Sequence, residues 1–498
     1  MQEEIKFDDF CKGFGFKSYP FNFFTAEDEK ARQGELFVTT KLYSPLLEAF
    51  EAGSTMLLSG DRGTGKTSIT YDFIRRSDNL HLLCQIDDFS SLPQYYSEAD
   101  FYKFITWHMV NAFFGGIGEL RSAGGKLTED EKILLTYFYV NFAADATRGL
   151  VKRAARDIQI PKWKRILQSF YNSVRNPLNI AANVGVAIAA DVVARASGAS
   201  AEVKAQVSEY FPEVSAGVEA ELPKADDTLE ALRRFSGLVK KCGYKRIVVV
   251  LDKVDEDPRL DNDAEEISEF ILPILSNNKF LLDDGFQVVA SLWVVPLNFI
   301  KDKVRTQKVY SPEIVWEFPD LKAALDQRVK VFSEGPARNF SNIFRDSVSE
   351  SVRGSILDLS NRNPRDLWHL MNKIFRAQYR IDAKVKEISE AAVHEGMREF
   401  VSKFNFYEYY PRKANARKNS MDVYSYIKHL LKLDAVRFTR NQLNDKAGTG
   451  SSTQNYTVGM ENLGLIEREV ADKGEAVYRI RDPKIKYAIE NSIDISKG

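Results

Sequence analysis

The chain has 498 residues, 44% hydrophobic and 28% charged, with 69 basic and 70 acidic side chains and a formal charge of −1. That length allows several domains with large cores and excludes a small disulfide scaffold. The balanced charge gives no global sign of nucleic-acid binding, so any basic face must be local. Cys11, Cys84 and Cys242 are scattered, with no CxxC pair and no histidine cluster beside them. Reduced thiols and a cytoplasmic setting are therefore expected, without a zinc site. The acidic start MQEEIKFDDF and the lack of a long uncharged apolar run predict no leader and no membrane span.

In chain order, short apolar runs at 55–59 (TMLLS), 81–86 (HLLCQI), 247–251 (IVVVL), 286–295 (FQVVASLWVV) and 313–318 (EIVWEF) read as strands. IVVVL has no alternation, as expected of a strand covered on both faces. Helical patterns separate the runs, which predicts a doubly wound parallel sheet with ligands at the carboxyl ends of its strands. Residues 1–89 and 226–318 are assigned to this core, and 90–225, with helical periodicity throughout, to an inserted helical subdomain. Within it, the stretch from Arg148 to Arg175 is the most basic of the chain. It reads as a nucleic-acid contact, a solvated helix face or a subunit contact. The Ala-rich stretch 178–196 is broken by Asn179, Asn183, Asp191 and Arg195, which favours small-residue helix packing over a membrane helix.

Residues 319–400 read as a helical bundle. From 401 to 498 the pattern becomes three helices and a two-stranded hairpin turning at Asp472-Lys473-Gly474, the outline of a winged helix. Ser452, Thr453, Gln454, Asn455 and Tyr456 on its third helix are residue types that reach bases or phosphates, but Glu461, Glu467 and Glu469 stand beside them.

Gly60-Asp61-Arg62-Gly63-Thr64-Gly65-Lys66-Thr67 fits GxxxxGK[ST] at every fixed position, directly after TMLLS and at the start of the helical pattern TSITYDFIRRS. Glycines at 60, 63 and 65 let backbone N–H groups close around phosphates, and the helix N-terminus adds partial positive charge. Lys66 is placed to neutralise the β and γ phosphates of ATP, and Thr67 to help coordinate Mg²⁺. Asp61, Arg62, Thr64 and Ser68 complete the cofactor-binding set. Such a loop calls for an acid at the end of a neighbouring strand, and IVVVL runs into Asp252-Lys253-Val254-Asp255-Glu256. Asp252 is the candidate metal residue beside Thr67. Asp255 and Glu256 are candidate bases for an attacking water, or caps of the next element.

DKVDE resembles the second motif of STAND and KAP-type P-loop ATPases within the AAA+ class. PDLKAALDQRVKVF followed by NRNPRDLWHLMNKIFRAQ is similar to the lid of origin-recognition-type AAA+ initiators. The resemblance implies a P-loop NTPase core with an inserted helical subdomain, a helical lid and a C-terminal winged helix. It implies a Mg²⁺-dependent ATPase acting as a switch or scaffold, a homo-oligomer controlling an effector protein, of a kind found among bacterial antiphage defence ATPases. An alternative is a DNA-bound initiator acting through the winged helix. On this resemblance Arg365 takes the lid's sensor position, or pairs with Asp366 at a helix start. Ser291 takes the first sensor position, or bonds only to backbone. Arg305 is an arginine finger for a neighbouring subunit, or a solvated loop residue. The Tyr19-Pro20-Phe21 segment packs near the adenine, or simply staples a helix. His108, His369, His394 and His429 form no ligand pattern.

Overall fold

The computed structural model describes residues 5–77, 80–116, 127–148, 150, 225–334, 339–412, 421–470 and 476–495. Four parallel strands, β1 (Met56–Gly60), β2 (His81–Ile86), β3 (Arg246–Leu251) and β4 (Gln287–Trp293), form one sheet in the order β1-β4-β3-β2. Residues alternate across it: Leu57 and Val249 enter the core on one face, Met56, Leu58, Val248 and Val250 the core on the other. The β-branched run of β3 is buried throughout, which accounts for its unbroken apolar sequence.

The run at 313–318 is not a strand of this sheet as expected. Pairing with β1 is confined to isolated bridges over 310–314, where Leu57 and Ser59 donate to the carbonyls of Tyr310 (2.9 Å) and Pro312 (3.0 Å), and Ile314 donates to Ser59 (2.7 Å). Pro312 has no N–H to complete the ladder, and Phe318 already opens the next helix.

One face of the sheet is covered by α1 (Tyr43–Glu51) and by α2 (Lys66–Arg76), which starts inside the phosphate-loop motif. The other carries α3 (Glu98–Gly115), α4 (Glu129–Phe142), α5 (Ala225–Lys241) and α6 (Ala264–Ser276). Helix α3 begins with a reciprocal capping box between Ser97 and Asp100. Phe101, Ile105, Val110 and Phe113 join the sheet's own core. The described start of the assigned 90–225 insertion is thus a layer of the central domain, since its apolar face packs into the sheet's core. The basic segment lies outside the described residues from 151 onward.

A second core unites the rest of the chain: α7 (Phe318–Phe332), α8 (Glu350–Leu359), α9 (Pro364–Ile381), α10 (Glu390–Ser402), everything described beyond them, and the N-terminal segment. The assignment of residues 1–89 to the sheet domain is corrected here for the first twenty-odd. Phe10, Phe14, Phe16 and Phe21 pack on the helical region around Phe375, because so many aromatic side chains require an apolar partner surface that the already covered sheet does not offer. The C-terminal region holds three helices, α11 (Val423–Leu430), α12 (Arg440–Ala447) and α13 (Thr453–Asn462), a three-stranded antiparallel sheet, and α14 (Pro483–Glu490). A short strand, β5 (Arg437–Thr439), adds to the expected hairpin of β6 (Ile466–Val470) and β7 (Ala476–Ile480) in the order β5-β7-β6. The turn between β6 and β7 is outside the described residues. All three cysteines are free and buried, and burial pushes each thiol up to about 12. Among the described residues no helix is long and apolar enough to cross a membrane.

A candidate phosphate-binding site

Between Gly60, the last residue of β1, and Lys66, the first of α2, the chain makes a tight loop with Gly63 and Gly65 at φ 84° and 88°. Side chains rarely adopt that backbone. Gly60 is also confined, since a Cβ there would lie 2.9 Å from Thr64 Oγ1 and 3.0 Å from the Ile314 carbonyl. The Thr64 hydroxyl donates to Asp61 O (2.8 Å), and Trp316 Nε1 donates to Thr64 O (2.8 Å). Lys66 Nζ donates to the carbonyls of Gly60 (2.9 Å) and Asp61 (2.8 Å). Burial lowers the Lys66 pKa, opposed by the charges of Asp255, Asp61 and Asp252.

Asp252 follows β3 and is 2% exposed. Its Oδ2 and the Ser291 hydroxyl on β4 are buried without hydrogen-bond partners among the described residues. Burial pushes the Asp252 carboxyl up, and the Thr67 and Ser291 hydroxyls temper the rise. They act on it without closing a hydrogen bond to Oδ2. A buried carboxylate oxygen without a donor is costly, and a small hard cation held with few protein oxygens is the ligand that such a group suits.

The two candidate bases differ. Asp255 Oδ2 accepts from Arg62 Nε at 2.7 Å, and Arg62 also donates to the Asp255 carbonyl (2.7 Å) and stacks on Trp293 at 4.1 Å. Glu256 is exposed to the cleft, yet the crowded surroundings and then the charge of Asp255 raise its pKa. Lys253 adopts a left-handed backbone, φ 59°, and its ammonium pairs with Glu27 at 2.5 Å. This turns the residue directly after Asp252 toward the N-terminal segment.

From the helical region, Asn363 caps α9 by accepting from Arg365 N (3.0 Å) and Asp366 N (3.4 Å). Its Nδ2 donates to the Arg62 carbonyl at 2.6 Å, so a helix cap touches the phosphate loop. Arg365 stands beside it, with NH1 3.9 Å from Glu408. Further out, His369 stacks on Phe24 at 3.9 Å, and buried Arg328 donates to the Pro20 and Phe23 carbonyls. Tyr19 and Phe21 pack on Phe375, which ties them to the helical region's core.

A cavity of about 1070 Å³ lies between the sheet and the helical region. Its wall carries Arg62 through Ser68, Asp252, Asp255, Glu256, Ser291 and Arg365. Gly60 and Asp61 hold the loop from behind. Arg305 is elsewhere: it is exposed, outside the cavity wall, and its guanidinium makes no hydrogen bond or ion pair among the described residues. Sequence reasoning missed Asn363, Asn262 and Trp316. The Asn-Pro step before α9 is a visible cap signal for the first; the other two carry no local signature. No group of three or more histidine, cysteine, aspartate or glutamate residues that could hold a metal ion occurs among the described residues.

The strand-loop-helix unit, with an acid at the end of β3, a parallel strand separated from β1 by β4, places the chain in the phosphate-loop class of α/β folds. No protein-family model matches the chain, and no curated protein matches it. Among solved structures it is similar to the Walker-type ATPase PABY2304 of Pyrococcus abyssi, at 11% identity and a TM-score of 0.36, over 94% of this chain and 96% of that one.

Proposed function

We propose that the protein binds and hydrolyses ATP with Mg²⁺, and that the nucleotide acts as a switch between the sheet domain and the helical region. The observation that carries this reading is the buried, unpartnered Asp252 carboxylate oxygen beside a glycine-shaped loop ending in Lys66 and Thr67. Thr67 and Asp252 would hold Mg²⁺, which when bound supplies positive charge to the β and γ phosphate oxygens. Lys66 exchanges its two loop carbonyls for phosphate oxygens. Glu256, open to the cavity and with a raised pKa, orients the attacking water, while Asp255 is committed to Arg62. Ser291 fixes polar groups near Asp252. Arg365, on the rim, offers a planar guanidinium to the terminal phosphate, so that hydrolysis loosens the helical region from the loop.

In this reading the C-terminal helices and three-stranded sheet form a winged helix. Arg305, exposed and remote from its own cavity, acts on a neighbouring copy's nucleotide in a homo-oligomer that controls an effector partner. The test is equilibrium nucleotide binding and phosphate release for the wild type beside Lys66→Ala and Asp252→Asn. Binding lost in the first, and turnover lost with binding kept in the second, is expected. Wild-type protein that neither binds nor hydrolyses ATP would sink the proposal.

A further inference from the structure

Asn262 sits two turns beyond the acidic motif, and no part of the catalytic reading above uses it. Its backbone is left-handed, φ 55°, as is that of Asp261, φ 44°. Among residues with side chains, asparagine is one of the few that accept this conformation readily. Its side chain faces two ways. Oδ1 accepts from Arg62 NH1 at 2.6 Å, and Nδ2 donates to the carbonyls of Tyr407 (2.8 Å) and Tyr410 (3.3 Å). Its own carbonyl accepts from Arg412 N at 3.3 Å. A short primary amide holds its acceptor and its two donors on separate atoms, so it can face both ways at once.

Each partner leads onward. Arg62 spends Nε and NH2 on Asp255 and only NH1 on Asn262, in a pocket where the Arg62 and Asp255 side chains are 12% and 10% exposed. On the other side, the segment gripped by Nδ2 is anchored by its own side chains. The Tyr409 hydroxyl donates to Asp366 on α9 (2.6 Å), and the Tyr410 hydroxyl to Asp482 at the start of α14 (2.9 Å). Hydrogen bonds of 2.6–3.3 Å, joined through segment 407–410, therefore run from the C-terminal region through Asn262 and Arg62 to Asp255, the neighbour of the base.

We propose that Asn262 is a positioning residue that links segment 407–410 to the Arg62–Asp255 pair, so that the C-terminal region sets the geometry of the hydrolytic loop. The inference rests on the ATPase reading and adds to it a route of control. When segment 407–410 is seated, Nδ2 is held, Oδ1 fixes Arg62, and the acidic loop keeps Glu256 toward the cavity. When the segment shifts, Arg62 loses its third hydrogen bond and Asp255 its fixed orientation, while Lys66, Thr67 and Asp252 are untouched.

The experiment uses the full chain and measures Mg²⁺-ATP turnover together with equilibrium binding of a fluorescent ATP analogue. Asn262→Gly keeps the left-handed backbone and removes both contacts. Asn262→Asp keeps the acceptor for Arg62 and removes the donor to the carbonyls. Both are expected to lower kcat about tenfold, about 1.4 kcal/mol of barrier, with analogue affinity and KM within about twofold. In an Asp255→Asn background, Asn262→Gly should add no further loss, because the two act in one chain. Wild-type kcat in Asn262→Asp overturns the link to the C-terminal region. Wild-type kcat in both variants, or losses that multiply with Asp255→Asn, or affinity falling in step with kcat, overturns the positioning role, even while wild-type turnover upholds the ATPase. No binding and no turnover in the wild type removes both readings together.

Discussion

Lys484 Nζ lies 3.0 Å from Asp366 Oδ2, with the two side chains 0% and 3% exposed, and the pair joins the helix that carries Arg365 to the last helix described. Burial pushes Asp366 up, tempered by Lys484 and Tyr409, whereas Lys484 stays above its ordinary value because Asp366 and Asp482 outweigh burial. The second carboxylate, Asp482 at 3.8 Å, together with Phe404 facing the ammonium at 4.4 Å, decides for the ionised pair. Removing one partner strands the other, so Lys484→Met or Asp366→Asn should cost about 3–5 kcal/mol in chemical denaturation. The double variant should cost clearly less than the sum, since neither charge is then left alone.

Gly63→Ala should uncouple the phosphate loop from the helical region. Its Cβ would meet Asn363 Oδ1 at 2.5 Å and Arg365 Cβ at 2.8 Å, on a backbone at φ 84° that alanine resists. We expect a loss of about 1–3 kcal/mol of stability from the strain alone. Limited proteolysis should show new cleavage between the sheet domain and α9, and cleavage like that of the wild type would contradict this.

Glu256→Gln should lower ATP turnover by about 10²–10⁴-fold with nucleotide affinity retained. Because crowding and the Asp255 charge raise the Glu256 pKa, the acid limb of the pH–rate profile should lie above the ordinary 4.5 of a glutamate. Asp255→Asn removes one of those two causes. Its limb should therefore move to lower pH, whatever happens to the plateau; a limb that stays in place would assign the titration to another group.

His369 supplies a stability test. Burial first, then the charges of Arg365 and Lys373, lower its pKa from 6.5 to about 4, so the folded protein keeps the imidazole neutral where the unfolded chain protonates it. The stability this neutral group permits is full above pH 6.5 and is lost as pH falls toward about 4. Thermal unfolding of His369→Gln should show a shallower decline across that window than the wild type, and parallel declines would exclude this histidine.

Much of the central domain is written locally. IVVVL is a buried strand because a β-branched run has no polar face, and the phosphate loop is legible because its glycines mark backbone positions that side chains rarely take. What depends on distant partners is not legible. Nothing near Asn262 or Trp316 announces the Arg62 guanidinium or the Thr64 carbonyl that each meets across the fold. The N-terminal aromatics look like the start of the sheet domain until Phe375, more than 350 positions away, is seen packing among them. The strand expected at 313–318 failed for a local reason that was visible, the proline at 312 followed by a second proline at 319, which opens a helix.

The packing of residues 7–21 against α9 sets an order of events during synthesis. Asn372 Nδ2 reaches the Phe21 carbonyl at 2.6 Å across 351 positions, and Arg328 reaches Pro20 across 308. At about 5–20 residues per second on the ribosome, these phenylalanines wait tens of seconds for the surface that buries them, while the strands made after them can already pair. This segment, made well before α9, is thus among the last to settle, and during that wait its phenylalanines have no buried place of their own.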